Sequence, residues 1–473
     1  MQVAREDTIV ARATPRGASA LSIVRLSGPN ARAIATSVFE GQDLQTVPSH
    51  TAHVGFLAGA DGVDVDQVVS SVFVAPGTAT GEDIVEFTCH GGDVASDAAL
   101  QLLVRAGARY AEPGEFTLRA FLNGKVDLAQ AEAIGELIHA RSQRASRVSM
   151  AHLRGVYSDE LSAVRSGLME LIALVELELD FAEEDVEFAD RARLEGLLDG
   201  AIERLSSLLA SYRLGAALSK GVRVVIAGKP NAGKSTLMNA LVGYDRVMVS
   251  DIPGTTRDEV DAQIEFEGVS FQFVDTAGLR ETTDVLEAEG VRRSEAAFAT
   301  ADLILYLHDL TDTESDEVQF VQTLKKQFGD LNVLRIGNKV DAVSDVQNER
   351  YDSLISAATM DESQLRDLMQ LIYANTAGNV VVSDEQQVVT SQRHRAHLES
   401  ALEAASRASV QLRSGGSGDL LSADVRVIIE QIGSITGEVT NEDILGKIFS
   451  SFCIGKWLKN KYMSALNSAY DII

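Results

Sequence analysis

Val222-Arg223-Val224-Val225-Ile226-Ala227 runs directly into Gly228-Lys229-Pro230-Asn231-Ala232-Gly233-Lys234-Ser235-Thr236. An apolar run followed by GxxxxGK[ST] reads as the strand, phosphate loop and helix start of a P-loop nucleotide site. The glycines let backbone N–H groups close around phosphate oxygens. Lys234 neutralises the β- and γ-phosphate charge, and the Ser235 hydroxyl suits Mg²⁺. Asn231, Ala232, Gly233 and Thr236 complete the loop as nucleotide-binding positions.

Further pieces follow along the chain. Asp275-Thr276-Ala277-Gly278 closes the strand candidate Phe271 to Val274, which puts an acid near the metal and the Gly278 N–H near the γ-phosphate. Asn338-Lys339-Val340-Asp341 ends another apolar run. Its carboxylate can accept from both N1–H and N2–H of guanine, which adenine does not offer, so the site reads as a GTPase. Ser356-Ala357-Ala358 completes the guanine-side loop. Between these pieces lies Ser250-Asp251-Ile252-Pro253-Gly254-Thr255-Thr256-Arg257-Asp258, a switch segment in which Thr256 is the better candidate to close on Mg²⁺ and γ-phosphate. A plain Pro-Gly turn is the alternative there. Leu279 stands where Ras-like enzymes carry a water-orienting Gln. Leu cannot position water, so the catalytic group comes from elsewhere. Glu287 in the second switch can polarise water, but the residues alone favour the bland reading of one solvated acid among Glu281, Asp284 and Glu289.

Outward from the P-loop, strand candidates at Val222 to Ala227, Phe271 to Val274, Leu303 to Leu307, Val333 to Ile336 and Leu354 to Ile355 alternate with helical intervals. The alternation predicts a doubly wound, mostly parallel α/β sheet, the G domain, over residues 218–380. Residues 126–217 are helical: Leu161, Val164, Leu168, Leu171, Ile172, Val175 and Leu179 step by three and four along one face. Helix periodicity returns over residues 381–456, broken by the flexible-looking Ser414-Gly415-Gly416-Ser417-Gly418. A helical pattern on both sides of the G domain is explained most economically by inserting that domain into a helical one. Residues 1–125 mix short strands (Thr8 to Ala11, Ser22 to Leu26, Val68 to Val74, Ile84 to Thr88) with turns and read as an α+β domain. The acids from Asp180 to Glu187 read as a solvated loop or helix end.

Composition narrows the class. With 473 residues the chain has room for two to four domains. Its two cysteines, Cys89 and Cys453, exclude a disulfide framework and suit the cytoplasm. Cys89-His90 beside two glycines has no third metal ligand near it and reads as a strand-to-turn junction. No run is apolar enough for a membrane span or signal peptide. The formal charge of −27 opposes non-specific nucleic-acid binding, so RNA would be reached mainly through a more basic partner.

These motifs resemble one family nearly end to end, the MnmE (TrmE) tRNA uridine-modification GTPases. The resemblance rests on Asp7-Thr8-Ile9-Val10, Ile23-Val24-Arg25-Leu26-Ser27-Gly28, Thr80-Gly81-Glu82-Asp83, Cys89-His90-Gly91-Gly92 and Pro113-Gly114-Glu115-Phe116-Thr117. It continues through Phe121-Leu122-Asn123-Gly124-Lys125-Val126-Asp127-Leu128, Ile435-Thr436-Gly437-Glu438 and Ile448-Phe449-Ser450-Ser451-Phe452-Cys453-Ile454-Gly455-Lys456. It implies a homodimer joined through N-terminal folate-binding domains, and G domains that meet when GTP binds. It further implies K⁺ between the β- and γ-phosphates on Asn231, Ser250, Ile252 and Thr255, Mg²⁺ on Ser235 and Thr256, and Glu287 as the water-orienting acid. A tetrahydrofolate derivative, in the 5-formyl or 5,10-methylene form, would sit on Arg25, Glu86, Lys125 and Lys456. Cys453 reads either as a small residue near a helix end or as the functional thiol that the family motif suggests. Physically, Glu86 can accept from a pterin amide edge, and cations suit a glutamate tail.

The implied activity is K⁺-stimulated GTP hydrolysis. Together with an FAD-dependent MnmG (GidA) type partner, in a heterotetramer or larger complex, it installs an aminomethyl or carboxymethylaminomethyl group on carbon 5 of the wobble uridine of certain tRNAs. Two departures from the family pattern stand out. Residues 457–473 form an atypical C-terminal extension with Leu458, Tyr462, Leu466 and Tyr470 at helical spacing, and Arg16-Gly17-Ala18-Ser19-Ala20 replaces a glycine-richer turn. The alternatives are a ribosome-assembly GTPase of the Era or Der type, for which no basic module is visible, and a folate-binding regulator timed by its GTPase.

Overall fold

The computed structural model describes residues 7–59, 62–180, 191–244, 262–275, 296–312, 322–324, 326–327, 332–343, 348–378, 387–439, 445–446, 448–449 and 452. The chain divides into two compact units, Met1–Gly135 with Gly433–Ile473, and Glu136–Ile432.

The first unit is built on a seven-stranded sheet. Its strands are β1 (Ile9–Arg12), β2 (Leu21–Ser27), β3 (Phe39–Glu40), β4 (Thr51–Ala58), β5 (Asp64–Phe73), β6 (Ile84–His90) and β7 (Arg109–Tyr110), in the spatial order β3-β4-β5-β6-β2-β1-β7. All pairings are antiparallel except β1 with β7. Strand alternation divides the side chains between faces. Val24, Leu26, Val72, Val85 and Phe87 form a core with Ile34, Ala35 and Val38 of the helix Ala31–Val38 and with Ala99 and Leu103 of the helix Asp93–Arg105. At the β1 edge of the opposite face, Ile9 and Ala11 pack on Phe116 of the helix Glu115–Leu122.

The expected strands in this unit are present. The structure adds β3, β4 and β7, which the pattern did not announce. β4 carries Gly55 in its middle, a residue that weakens a strand signal. Here a Cβ at Gly55 would stand 2.5 Å from the Phe39 ring, so the close approach of that ring requires glycine.

The second unit holds a six-stranded sheet of β8 (Val222–Ala227), β9 (Ala262–Phe266), β10 (Val269–Asp275), β11 (Leu303–Asp309), β12 (Val333–Asn338) and β13 (Ser353–Ile355), in the order β13-β12-β11-β8-β10-β9. Every pair is parallel except β9 with β10. Apolar layers cover both faces, as a doubly wound sheet requires. One layer contains Val224, Ile226, Phe271, Phe273 and Leu305 with Leu368 and Ile372 of the helix Glu362–Thr376; the other contains Val225, Val274, Ile304 and Phe298. The first layer runs on without a break into Leu214 and Leu218 of the helix Arg191–Lys220, Val148 of the helix Gln143–Leu153, and Val388.

The helical periodicity is realised in Val156–Asp180, where Leu161, Val164, Leu168, Leu171, Ile172 and Val175 are all buried. The helix Gln392–Ser414 packs along Arg191–Lys220. Ser414 to Gly418, expected to be a flexible break, is a tight helix-to-helix turn. Gly415 caps the helix with φ 71°, the Gly416 N–H donates to Gln411 O at 2.8 Å, and the next helix, Gly418–Thr436, begins at once.

The acidic run beyond Asp180 and the extension 457–473 lie outside the described residues. Among the described residues no helix is long and apolar enough to cross a membrane.

Candidate functional site

The loop between β8 and the helix Lys234–Tyr244 gathers the phosphate-binding residues. Two positions in it admit only glycine. Gly228 has φ 149°, and a Cβ there would stand 2.3 Å from Leu307 O; Gly233 has φ 97°, and a Cβ would stand 2.2 Å from Asn338 Nδ2. Asn231 itself takes the left-handed conformation, φ 65°, at the crest. Lys234 is buried, and its ammonium donates to Gly228 O and Lys229 O at 2.9 Å each, which fixes the charge within the curl of the loop. Ser235 Oγ donates to Asp275 Oδ2 at 3.3 Å. A hydroxyl from a helix start and a carboxylate from a strand end thus converge as hard oxygen donors, the set that Mg²⁺ takes.

The guanine-side residues form a second cluster tied to the first. Buried Asn338 donates through Nδ2 to Ala232 O at 2.7 Å and accepts at Oδ1 from Ala357 N at 2.9 Å. Its amide therefore braces the phosphate loop against the Ser356-Ala357-Ala358 loop. Asp341 accepts from Ser356 Oγ at 2.5 Å, which aims its carboxylate. Lys339, at φ 66°, donates to Asp309 Oδ2 at 2.5 Å. Burial alone would raise the Asp309 carboxyl, but hydrogen bonds from Lys339 and from the Thr311 hydroxyl and N–H hold it below the usual carboxylate range. Lys229 pairs with Asp312 at 2.9 Å. Asp309 and Asp312 were not singled out from sequence; their signal was the position at the end of β11, where acids can meet the lysines of the loops on either side.

Ser250, Ile252, Thr255, Thr256, Gly278 and Glu287 lie outside the described residues, as do Cys453 and Lys456. Of the K⁺ positions only Asn231 is described, and of the Mg²⁺ positions only Ser235.

In the first unit, Arg25 and Glu86 face each other across β2 and β6, with Nε donating to Oε1 at 2.6 Å and the Arg25 guanidinium 5.8 Å from the Phe116 ring centroid. Lys125 lies beside Gly81: a Cβ there would meet Lys125 Cε at 3.2 Å. A cavity of about 400 Å³ opens at this point, lined by Gly81, Glu82, Arg119 and Asn123 among others.

The cavity wall includes part of a charge network, centred on buried Arg119, that sequence reasoning did not assign. Arg119, 2% exposed, donates to Asp7 Oδ1 at 2.5 Å, Glu115 Oε1 at 3.0 Å and Glu82 Oε1 at 3.2 Å. Arg109 grips Asp7 and Glu115 as well, and Ser27 Oγ donates to Glu82 Oε2 at 2.7 Å. Burial by itself would raise Asp7 and Glu115, but the two guanidiniums hold both below the usual carboxylate range. The available signal was the i,i+4 spacing of Glu115 and Arg119.

The C-terminal motif arrives in the same unit. Phe449 and Phe452 pack with Leu118, Leu128 and Ala131, and a Cβ at Gly114 would stand 2.4 Å from Phe449 O. The Pro113-Gly114-Glu115-Phe116-Thr117 segment and the stretch leading to Cys453 are therefore neighbours.

Cys89 and His90 point to opposite sides of the sheet. The Cys89 thiol is buried, which with the nearby Asp66 charge pushes it up to about 12, whereas His90 bonds Asp66 at 2.7 Å on the exposed side. Among the described residues no cluster of three or more His, Cys, Asp or Glu side chains is placed to hold a metal.

Comparison with known proteins covers most of the chain. The family described as "GTP-binding protein TrmE N-terminus" matches residues 8–125, and "MnmE helical domain" matches residues 128–453. A Salinibacter ruber protein named tRNA modification GTPase MnmE is 52% identical over 461 residues, 96% of this chain and 100% of that one. Proteins of the same name from Chlorobium phaeobacteroides and Cytophaga hutchinsonii are 43% identical over 464 residues and 41% over 470. Each covers 95% of this chain, with 97% and 98% of their own lengths matched.

Proposed function

The chain belongs to the MnmE family of tRNA modification GTPases, and from that membership we propose that it uses GTP turnover, stimulated by K⁺, to drive modification of carbon 5 of the wobble uridine of certain tRNAs in the cytoplasm. In this reading it acts with an FAD-dependent MnmG type protein and a tetrahydrofolate one-carbon donor. The observation that carries it is the joining, in one chain, of a guanine-nucleotide frame and a first unit in which three separate motif segments converge beside a cavity.

In the nucleotide site, Lys234 holds positive charge where the β- and γ-phosphates bind, and the Asp341 carboxylate selects guanine through its two donors. Ser235 and Asp275 would supply oxygens to Mg²⁺, which when bound would neutralise phosphate charge. Asn231 at the loop crest would be one ligand of K⁺, which when bound would supply further positive charge to the phosphates. Thr256 and Glu287 complete the proposal, the first on the metal and the second orienting water.

For folate, the Arg25–Glu86 pair offers a carboxylate to an amide and amine edge and a guanidinium to an anion. Lys125 and Lys456 are the proposed cations for the tail, and Cys453 the proposed thiol.

A homodimer is supported by the sheet face that carries this pair. Leu21, Val54, Phe56 and Val69 share that face with Arg25 and Glu86 by register, and all four are exposed, Val54 by 66%. A second copy laid on this face would cover apolar surface and close over the folate position.

Reconstitution tests the proposal. Purified chain with the FAD partner, tRNA and a tetrahydrofolate donor is expected to modify uridine in KCl with GTP, and to stop when GTP or folate is omitted. GTP hydrolysis at equal rates in KCl and NaCl would reject the K⁺ role, and modification without folate would reject the donor.

A further inference from the structure

β9 and β10 form a hairpin whose two far ends lead into the two segments that the sequence identifies as switches: β9 begins at Ala262, after residues 250–258, and β10 ends at Asp275, the acid beside Ser235. Its near end is a tight two-residue turn, Glu267 at φ 48° and Gly268 at φ 75°. The start of the helix Gln143–Leu153 grips that turn. Ser142 caps the helix by accepting from Ala145 N at 3.1 Å and donates its hydroxyl proton to Gly268 O at 2.6 Å. Arg144 Nη1 donates to Glu267 O at 2.6 Å and reaches Tyr373 Oη at 3.3 Å. The fit is close enough that a Cβ on Gly268 would stand 2.7 Å from both Arg144 Cβ and Cδ. Phe266, the residue before the turn, packs edge-on against Tyr373 with ring centroids 6.2 Å apart and shares the core with Val148 of the gripping helix.

We propose that the Ser142–Arg144 clasp on the Glu267–Gly268 turn makes these two side chains positioning residues that couple the state of the nucleotide to the helical framework. The mechanical basis is a paired ribbon. β10 has seven residues, about 20 Å at the ordinary strand rise, and is bonded on one side to β9 and on the other to β8, which ends at the phosphate loop. A register or tilt change begun at Asp275 or Ala262 is carried to the turn, because a ladder paired on both sides has discrete registers and little room to bend. At the turn it meets two backbone carbonyls held by side chains of another element. The clasp thus converts motion of the hairpin into motion of the helix Gln143–Leu153.

The proposal rests on the reading that GTP turnover serves tRNA modification, and the test separates the two. In the Ser142→Ala/Arg144→Ala double variant, GTP hydrolysis is expected to remain at the wild-type rate while tRNA modification falls by about 5- to 150-fold, the span of an ordinary coupling free energy. Arg144→Lys alone, which keeps a donor for Glu267 O, is expected to restore part of the loss. A parallel fall of hydrolysis and modification, or retention of both, would overturn the proposal.

The second readout needs no tRNA. Amide hydrogen exchange over residues 143–153 of the wild-type full chain is expected to differ between GDP and a slowly hydrolysed GTP analogue, and the difference is expected to vanish in the double variant. Absence of any difference in the wild type would overturn the clasp, even if tRNA modification is observed. A nucleotide-dependent difference in a protein that leaves tRNA unmodified would keep the clasp and reject the functional reading instead.

Discussion

The two sheets place their candidate functional groups in opposite ways. In the parallel sheet, the chemistry sits in loops at strand ends. Gly228 to Ser235 follows β8, Asp275 ends β10, Asn338 to Asp341 begins at the last residue of β12 and Ser356 follows β13. Each piece is contiguous in sequence, and the parallel order brings all of them to one edge. In the unit of the antiparallel sheet, the candidate groups are joined over long sequence separations: Arg25 bonds Glu86 across two strands, and Arg119 of the helix Glu115–Leu122 bonds Asp7, ahead of β1. A parallel sheet thus writes its site as motifs, whereas an antiparallel one writes it as pairings that appear only once the chain is folded.

The first way to sharpen that contrast is Arg119→Met. If the pairings of the antiparallel unit hold it together, leaving Asp7, Glu82 and Glu115 without their buried partner costs about 3–5 kcal/mol. Thermal denaturation is expected to show an early loss of the first unit while GTP binding by the second survives. An unchanged melting profile would break the comparison.

A second test concerns the core shared by the helices of the other unit. His152 is 3% exposed and stacks on Tyr157, which stacks in turn on His394. Burial, and less so the neighbouring His394, lowers the His152 imidazole from 6.5 to about 4, against an opposing hydrogen bond to the Val388 backbone. The unfolded chain takes up this proton near pH 6.5 and the folded chain only near 4. The stability associated with neutral His152 is therefore complete above pH 6.5 and is lost as pH falls, by an amount on the order of 3 kcal/mol. Urea denaturation of the wild type and of His152→Phe between pH 7.5 and 4.5 checks this, and the variant should lose less stability over that interval.

The smallest effect is expected at Arg25→Ala. The Arg25–Glu86 pair is partly exposed, so its loss changes stability by about 1 kcal/mol or less. Binding of 5-formyltetrahydrofolate, measured by calorimetry, should nonetheless weaken, since the proposed role of the pair is recognition. A large stability loss with intact folate binding would reverse that assignment.

Legibility followed the same division. The parallel strands and the phosphate and guanine loops could be read because spacing and residue type suffice for them, whereas the order of the strands in the sheet could not. β9 was missed: in Ala262–Phe266 the outward Gln263 and Glu265 alternate with buried residues over only five positions, too short a run to stand out. Ser414 to Gly418 was misread because glycine composition does not distinguish a flexible linker from a left-handed helix cap. Asp309, Asp312 and the Arg119 network left only weak signals, a strand-end position and an i,i+4 spacing, since each depends on a partner supplied by tertiary structure. The resemblance pointed to the Glu115 and Arg119 segment without saying what either residue does.

The most direct test of the whole account is nucleoside mass spectrometry of tRNA from a strain whose only copy of this chain carries Lys234→Ala. The buried ammonium within the phosphate loop is then gone while the first unit is untouched. The account predicts that carbon-5-modified wobble uridine falls to the level of a deletion strain. Full modification in the presence of a hydrolysis-dead chain would contradict it.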